Sequence, residues 1–322
     1  MSGRSVGRVV VIGSFNVDHV WSSDALPRPG ETLAGCYASG PGGKGFNQAT
    51  ASARAGARTH FVCALGDDVG GQWARSLTLA DGIDLHDQRS IAPTGTAGIF
   101  VDAQGRNSIV IGAGANGELS ATHVIAQPDV FANAAVVLAQ LESPLPAIAA
   151  ALRLGRDAGA ITLLNPAPAN ASTTVDLLSG VDVLTPNESE LAALLYRHAA
   201  TRIEAGHVAH LPDEELHRLC RLLHATGTVV VTLGEHGCFV SHAAGSMRGD
   251  AAICYRVSAV AARVVDTTGA GDAFNGALAA ALAMRPETDF RTHVTFASHY
   301  AGRSTEHPGA ARSMPYLPVP RG

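Results

Sequence analysis

Seven residues, Asp266-Thr267-Thr268-Gly269-Ala270-Gly271-Asp272, stand between a β-branched run at 263–265 and a helical pattern over 270–284. Glycines at a helix start let backbone N–H groups face one point in space, and the positive end of the helix dipole attracts phosphate to that point. An aspartate beside such an anion site accepts the proton of an attacking hydroxyl, while the N–H groups stabilise charge on a transferring phosphoryl group. The same residues also describe a glycine-rich helix start capped by Asp272. Spacing alone leaves both readings open.

Other polar residues fall just after apolar β runs, where open α/β sheets bind their ligands. Asn16 and Asp18 follow the first run, Gln140 and Glu142 follow 136–139, and Asn165 follows 161–164. Asn187 and Glu190 follow 183–185, and Thr232 and Gly234 close 229–233. Each has an ordinary explanation: an Asx turn at Asp18, a solvated loop carboxylate at Glu142, a helix N-cap with its reciprocal glutamate at Asn187 and Glu190. Their convergence on one edge of one sheet favours a site. The G-x-G-x-x-G pattern occurs twice, at 40–45 and 112–117, in neither case in a strand-to-helix turn that opens a βαβ unit, so it carries no dinucleotide signal. Lys44 is followed by glycine rather than Ser or Thr, so no P-loop is present.

The elements that position these residues read as an α/β fold. A first strand over 8–13 is followed by β-like runs at 59–63, 136–139, 161–164, 183–185 and 229–233, alternating with helical runs at 69–80, 146–158, 188–196, 213–226 and 270–284. That alternation predicts a mostly parallel sheet flanked by helices. Two stretches, 20–37 and 97–111, break it and read as extra strands outside the main sheet. So small a piece cannot bury a core of its own and must lean on the large domain or on a second copy of itself. Residues 199–212 read as a loop-like exposed insertion.

Composition narrows the function. The chain has 322 residues, 46% of them apolar, enough for one sizeable α/β domain. A net charge of −5 offers no footprint for nucleic acid or an anionic membrane, so a small-molecule ligand is expected. Cys36, Cys63, Cys220, Cys238 and Cys254 form no C-x-x-C pair and read as reduced thiols. The first apolar run, 9–12, is too short for a signal-peptide core, and no segment approaches the ~20 apolar residues of a membrane span; a cytoplasmic protein is expected. His207, His210, His217 and His224 lack the companions of a metal motif and read as a solvated helix face.

Gly42-Gly43-Lys44-Gly45-Phe46-Asn47-Gln48 and Asp266 to Asp272 resemble the two signature regions of the ribokinase-type (PfkB) carbohydrate kinases. Between them, 112–116, 140–144, 164–169, 185–188 and 232–234 follow the family's order, so the resemblance covers roughly 8–318. It implies a single kinase domain over 1–322, with a small β-sheet lid inserted at about 20–37 and 97–111, and transfer of the ATP γ-phosphoryl group to the 5-hydroxyl of D-ribose. By that resemblance Asn16, Asp18, Gly43, Lys44, Asn47 and Glu142 hold the sugar, Asp272 is the base, and Gly269, Ala270 and Gly271 form the anion hole. Asn187 and Glu190 position the phosphates and a hydrated Mg²⁺, while Thr232, Gly234, Gly237, Gly271 and Ser298 line the nucleotide site. A monovalent cation, K⁺, takes Asp266, the Thr268 carbonyl and groups around Ser304, His307, Gly309 and Ser313. A homodimer through the lid is also implied. The sequence departs from the family at 298–308, where relatives carry small apolar residues. Kinases for 2-deoxyribose, another small sugar or a nucleoside share the motifs. So does a non-catalytic sugar-binding homologue, against which the intact Asp272 argues.

Overall fold

Arg8-Val9-Val10-Val11-Ile12 alternates nothing; its four apolar residues are fully buried on both faces, the mark of a central parallel strand. The computed structural model describes residues 7–317. In chain order its strands are β1 (Arg8–Ile12), β2 (Asn16–Ser22), β3 (Cys36–Gly42), β4 (Arg58–Gly66), β5 (Asp84–Ser90), β6 (Gly95–Val101), β7 (Asn107–Gly112), β8 (Ala134–Ala139), β9 (Ile161–Leu164), β10 (Val183–Leu184), β11 (Thr228–Thr232), β12 (Cys238–Ser241) and β13 (Cys254–Val257). A nine-stranded sheet runs β13-β12-β11-β10-β9-β8-β1-β4-β5, parallel from β11 to β5 and antiparallel at β12 and β13.

The longer helices are α1 (Lys44–Arg54), α2 (Val69–Ala80), α3 (Leu145–Asp157), α4 (Glu188–Ala199), α5 (Asp213–Leu223), α6 (Ala270–Met284) and α7 (Phe290–Ser304). They cover both faces of the sheet. Val9 and Val11 pack with residues of α1, α6 and α7 on one side, and Val10 and Ile12 with residues of α3, α4 and α5 on the other. Among the described residues no helix is long and apolar enough to cross a membrane.

The expected extra strands form a separate four-stranded sheet, β3-β2-β6-β7, with different limits from those anticipated. β2 begins at Asn16 and β3 runs to Gly42, while the exposed residues between them form no strand. Polar Asn16 and Asp18 read as a loop, and Gly40-Pro41-Gly42 as strand breakers. β3 is an edge strand, where a proline withholds no needed N–H from the ladder. Two further expectations need correction. Residues 263–265 are not a strand: Val265 and Asp266 donate their N–H groups to the Thr305 carbonyl, and Val264 and Val265 are exposed. The insertion is not simply an exposed loop: it forms a short 3₁₀ turn, Ala205–His210, that buries Val208 against the core.

Helices α1 and α6 carry the two signature stretches and touch at Gly276. A Cβ there would lie 2.4 Å from the Gln48 carbonyl oxygen and 2.6 Å from the Ala51 Cβ. Gly276→Ala should therefore destabilise the protein by about 1–3 kcal/mol, as overpacking outweighs the ~1 kcal/mol that alanine contributes to helix propensity. Calorimetry showing an unchanged or raised Tm would refute this close approach.

Candidate active site

All the parallel strands end at one edge, and the N-terminus of α6 points to it with Gly269 in the left-handed region at φ 78°. Asp272, in the first turn of α6, is 6% exposed. Its Oδ2 accepts from Asn47 Nδ2 at 2.9 Å and its Oδ1 from Gln48 Nε2 at 2.8 Å. Gln48 also bonds Asn165 Oδ1 and receives Gln140 Nε2. Asn165 in turn donates to the Thr185 carbonyl, Thr185 to Asn275 Oδ1, and Asn275 to the Gly271 carbonyl. A chain of amides and hydroxyls thus fixes the carboxylate from the ends of β8, β9 and β10. Burial raises the Asp272 pKa, opposed by Lys44 and by the Asn47 and Gln48 bonds. For the Lys44 ammonium burial alone would lower the pKa, but Asp272, Glu142 and Glu190 hold it above the ordinary value.

Glu142 is the second fixed carboxylate. Its Oε2 accepts from Ser14 Oγ at 2.6 Å and from the Lys44 N–H at 2.9 Å, just past Gly43, the residue that caps α1. Asn116 grips the Phe15 backbone through both its amide atoms and donates to Asn16 Oδ1 at 2.8 Å. A cleft of about 360 Å³ opens beside Ser14, Asn16, Asn116 and Glu142, beneath the end of β7. Asp18, on β2, has its pKa pushed up to about 7 by burial and by the nearby charges of Glu142 and Asp272.

Asn187 and Glu190 do form a capping box on α4: Asn187 Oδ1 accepts the Glu190 N–H at 2.8 Å and Glu190 Oε2 accepts the Asn187 N–H at 2.9 Å. The box does not isolate them. Asn187 pairs with Thr232 across a parallel bridge, and burial raises the Glu190 pKa against the Asn187 bond and the Lys44 charge, which lower it. Gly234 opens the turn after β11 and Gly237 closes it. Ser298, on α7, lies with its hydroxyl 3.8 Å from the thiol of Cys238, the next residue.

A model of the pfkB family of carbohydrate kinases matches residues 6–317. The chain belongs to this family. It is 35% identical over 312 residues to a ribokinase of Haemophilus influenzae, covering 95% of each chain. It is 37% identical over 314 residues to a bifunctional ribokinase/ribose-5-phosphate isomerase A of Fructilactobacillus sanfranciscensis, covering 96% of this chain but spanning only 54% of that longer protein. The solved structure of Arabidopsis thaliana ribokinase complexed with ribose and ATP superposes with a TM-score of 0.79 at 28% identity, covering 97% of this chain and 96% of the other.

Within this carbohydrate kinase the residues expected to hold a monovalent cation assemble least completely. Asp266 accepts the Thr268 and Gly309 N–H groups at 2.8 Å each, and those bonds lower its pKa against the effect of burial. Ser304 and Ser313 donate their hydroxyls to local carbonyls of Ala301 and Ala310, and His307 is exposed. Of the three residues expected to form the anion hole, Ala270 donates its N–H to the Thr267 carbonyl at 3.1 Å, closing the loop on itself. No group of three or more His, Cys, Asp or Glu suited to a metal ion occurs among the described residues.

Sequence reasoning gave no role to Gln48, Ser14 or Asn275. The available signal was weak: Asn275 is a polar residue in an alanine-rich helix, but Ser14 lies in the loop after β1 and Gln48 stands among other polar residues of α1, all three buried.

Proposed function

We propose that the protein transfers the γ-phosphoryl group of ATP to the 5-hydroxyl of D-ribose, giving D-ribose 5-phosphate and ADP. The observation that carries this reading is the buried Asp272 carboxylate, fixed by Asn47 and Gln48 at the start of α6 and aimed from the strand ends. The sugar oxygen attacks phosphorus, the bond to the ADP leaving oxygen breaks, and the hydroxyl proton goes to Asp272; a pKa raised by burial makes that carboxylate a better acceptor. Asn16, Asp18, Gly43, Lys44, Asn47 and Glu142 hold the sugar. Gly269 and Gly271 face the transferring group, with Ala270 joining them once its bond to Thr267 opens. Asn187, Glu190, Thr232, Gly234, Gly237, Gly271 and Ser298 take the nucleotide. ADP release that depends on added D-ribose tests the assignment, and its absence would remove it.

Mg²⁺ fits beside Glu190, a buried carboxylate whose pKa Asp272 helps to raise, a concentration of negative charge that a hydrated cation offsets. When bound, it neutralises phosphate charge. K⁺ would take the oxygens of Asp266, the Thr268 carbonyl and groups of residues 304–313, and would order the anion-hole loop. The small sheet serves as a lid inserted in one kinase domain, and the exposed Trp21, Tyr37 and Val110 upon it support a homodimer through the lid. Free thiols support a cytoplasmic site of action. Sedimentation equilibrium reads the dimer, and rates with K⁺ against tetramethylammonium at constant ionic strength read the cation; a monomer mass or equal rates would discard the respective part.

Sugar affinity should depend on pH through Asp18. Ionised, it accepts hydroxyl bonds; as pH falls through about 7 it protonates and loses that capacity. Ribose binding measured by calorimetry should weaken on the order of tenfold from about pH 8 to about pH 6. In Asp18→Asn binding should be weaker and nearly flat across that range; an unchanged slope in the variant would assign the titration elsewhere.

A further inference from the structure

Residues 200–212 are tied to the nucleotide side of the molecule by one side chain. Arg256, on β13, donates from Nε to Asp213 Oδ1 at 2.7 Å, from Nη1 to the Ala209 carbonyl at 2.9 Å and from Nη2 to the Leu211 carbonyl at 2.8 Å. Its guanidinium also lies 5.6 Å from the ring centre of Phe239 on β12. With Val208 buried beneath it, the segment sets His210 edge-on against His236, ring centres 5.1 Å apart and planes at 72°. His236 ends the turn Gly234–His236. That turn is closed by its own backbone, Leu233 N–H to the Gly237 carbonyl at 2.8 Å and His236 N–H to the Leu233 carbonyl at 2.9 Å. Such bonds set the turn's shape but not its position over a ligand. The His210 ring and the Gly237 end, packed against the backbone of Val257 and Ala259, are what fix it from outside.

We infer that residues 200–212 brace the nucleotide-binding turn, with His210 and Arg256 as positioning residues for ATP that touch neither sugar nor reacting atoms. The inference rests on the assignment of 232–237 to the nucleotide. Arg256 fixes the brace to the β12–β13 hairpin, and the His210 ring transmits that support to His236. The His236–Gly237 end of the turn is then anchored to that hairpin while the other end follows β11, so loosening the brace loosens nucleotide contacts alone.

The test uses the full chain and three variants: His210→Ala, which removes the ring at an exposed position, His210→Phe, which keeps an edge-to-face partner, and Arg256→Met, which removes the three bonds. ADP affinity is read by calorimetry, and KM for ATP, KM for ribose and kcat by steady-state kinetics. An edge-to-face ring pair corresponds to about 2–10-fold in affinity. The expected result is a rise of that size in the ADP Kd and the ATP KM for His210→Ala and Arg256→Met, with ribose KM and kcat unchanged and His210→Phe matching the parent. Unchanged ADP affinity in His210→Ala would overturn the inference, as would a parallel loss in ribose KM and kcat, or a His210→Phe variant as weak as His210→Ala. A parent protein that binds no ADP would instead overturn the nucleotide assignment, a distinguishable result.

Discussion

Replacing Asp272 by Asn is expected to lower kcat by about 10²–10⁴-fold, the usual contribution of a positioned general base, while ribose still binds. The substitution keeps the shape and removes proton acceptance. It also changes the hydrogen-bond fit. Asn47 and Gln48 each present an N–H to a different oxygen of Asp272. An asparagine amide has one acceptor oxygen, so one of those two donors would face its NH₂ group instead. Some of the loss should therefore appear as disorder of the Gln48 side chain, which also contacts Asn165 and Gln140. Steady-state kinetics paired with calorimetric ribose binding separate the two effects: kcat collapses, while the ribose Kd changes by a few-fold. A variant with near-normal turnover would remove Asp272 from the chemistry and leave it a structural carboxylate held by Asn47 and Gln48, since the helix itself is capped by Gly269 with no side-chain bond.

The second large effect concerns the sugar. Asn16 has its Oδ1 already engaged by Asn116, and Asp18 is a half-buried acceptor. Both need ligand hydroxyls to satisfy their remaining capacity in a closed site. A substrate lacking one hydroxyl strands one of these groups, at a cost of about 1–3 kcal/mol. In kcat/KM that amounts to roughly 5–150-fold in favour of D-ribose over 2-deoxyribose. Competing the two sugars at equal concentration gives the ratio directly, and parity or reversal would make the enzyme a deoxyribokinase or a generalist.

How far the sequence alone reached depended on which interactions were local. Continuous β-branched runs named β1, β8, β9 and β11, because strands buried on both faces need no partner to be recognised. β5 went unread: Asp84-Leu85-His86-Asp87-Gln88-Arg89-Ser90 is polar, as befits an edge strand beside only β4. β12 and β13 were hidden behind the turn at Gly237, where the sheet changes from parallel to antiparallel. For the candidate site, the strand-end rule singled out Asn16, Glu142 and Asn187. It could not show that Gln48 meets Asp272 across 224 residues of sequence, since that contact exists only through the packing of α1 on α6. The β-branched run at 263–265 misled because composition does not show that the Val265 and Asp266 N–H groups go to the Thr305 carbonyl rather than to a strand.

The most direct measurement is ATP turnover with D-ribose as acceptor, followed by nuclear magnetic resonance of the product. The account predicts one ADP released per ribose consumed and a new phosphate ester whose phosphorus couples to the protons on C5. ADP release indifferent to ribose, or an ester on any other carbon, would contradict it.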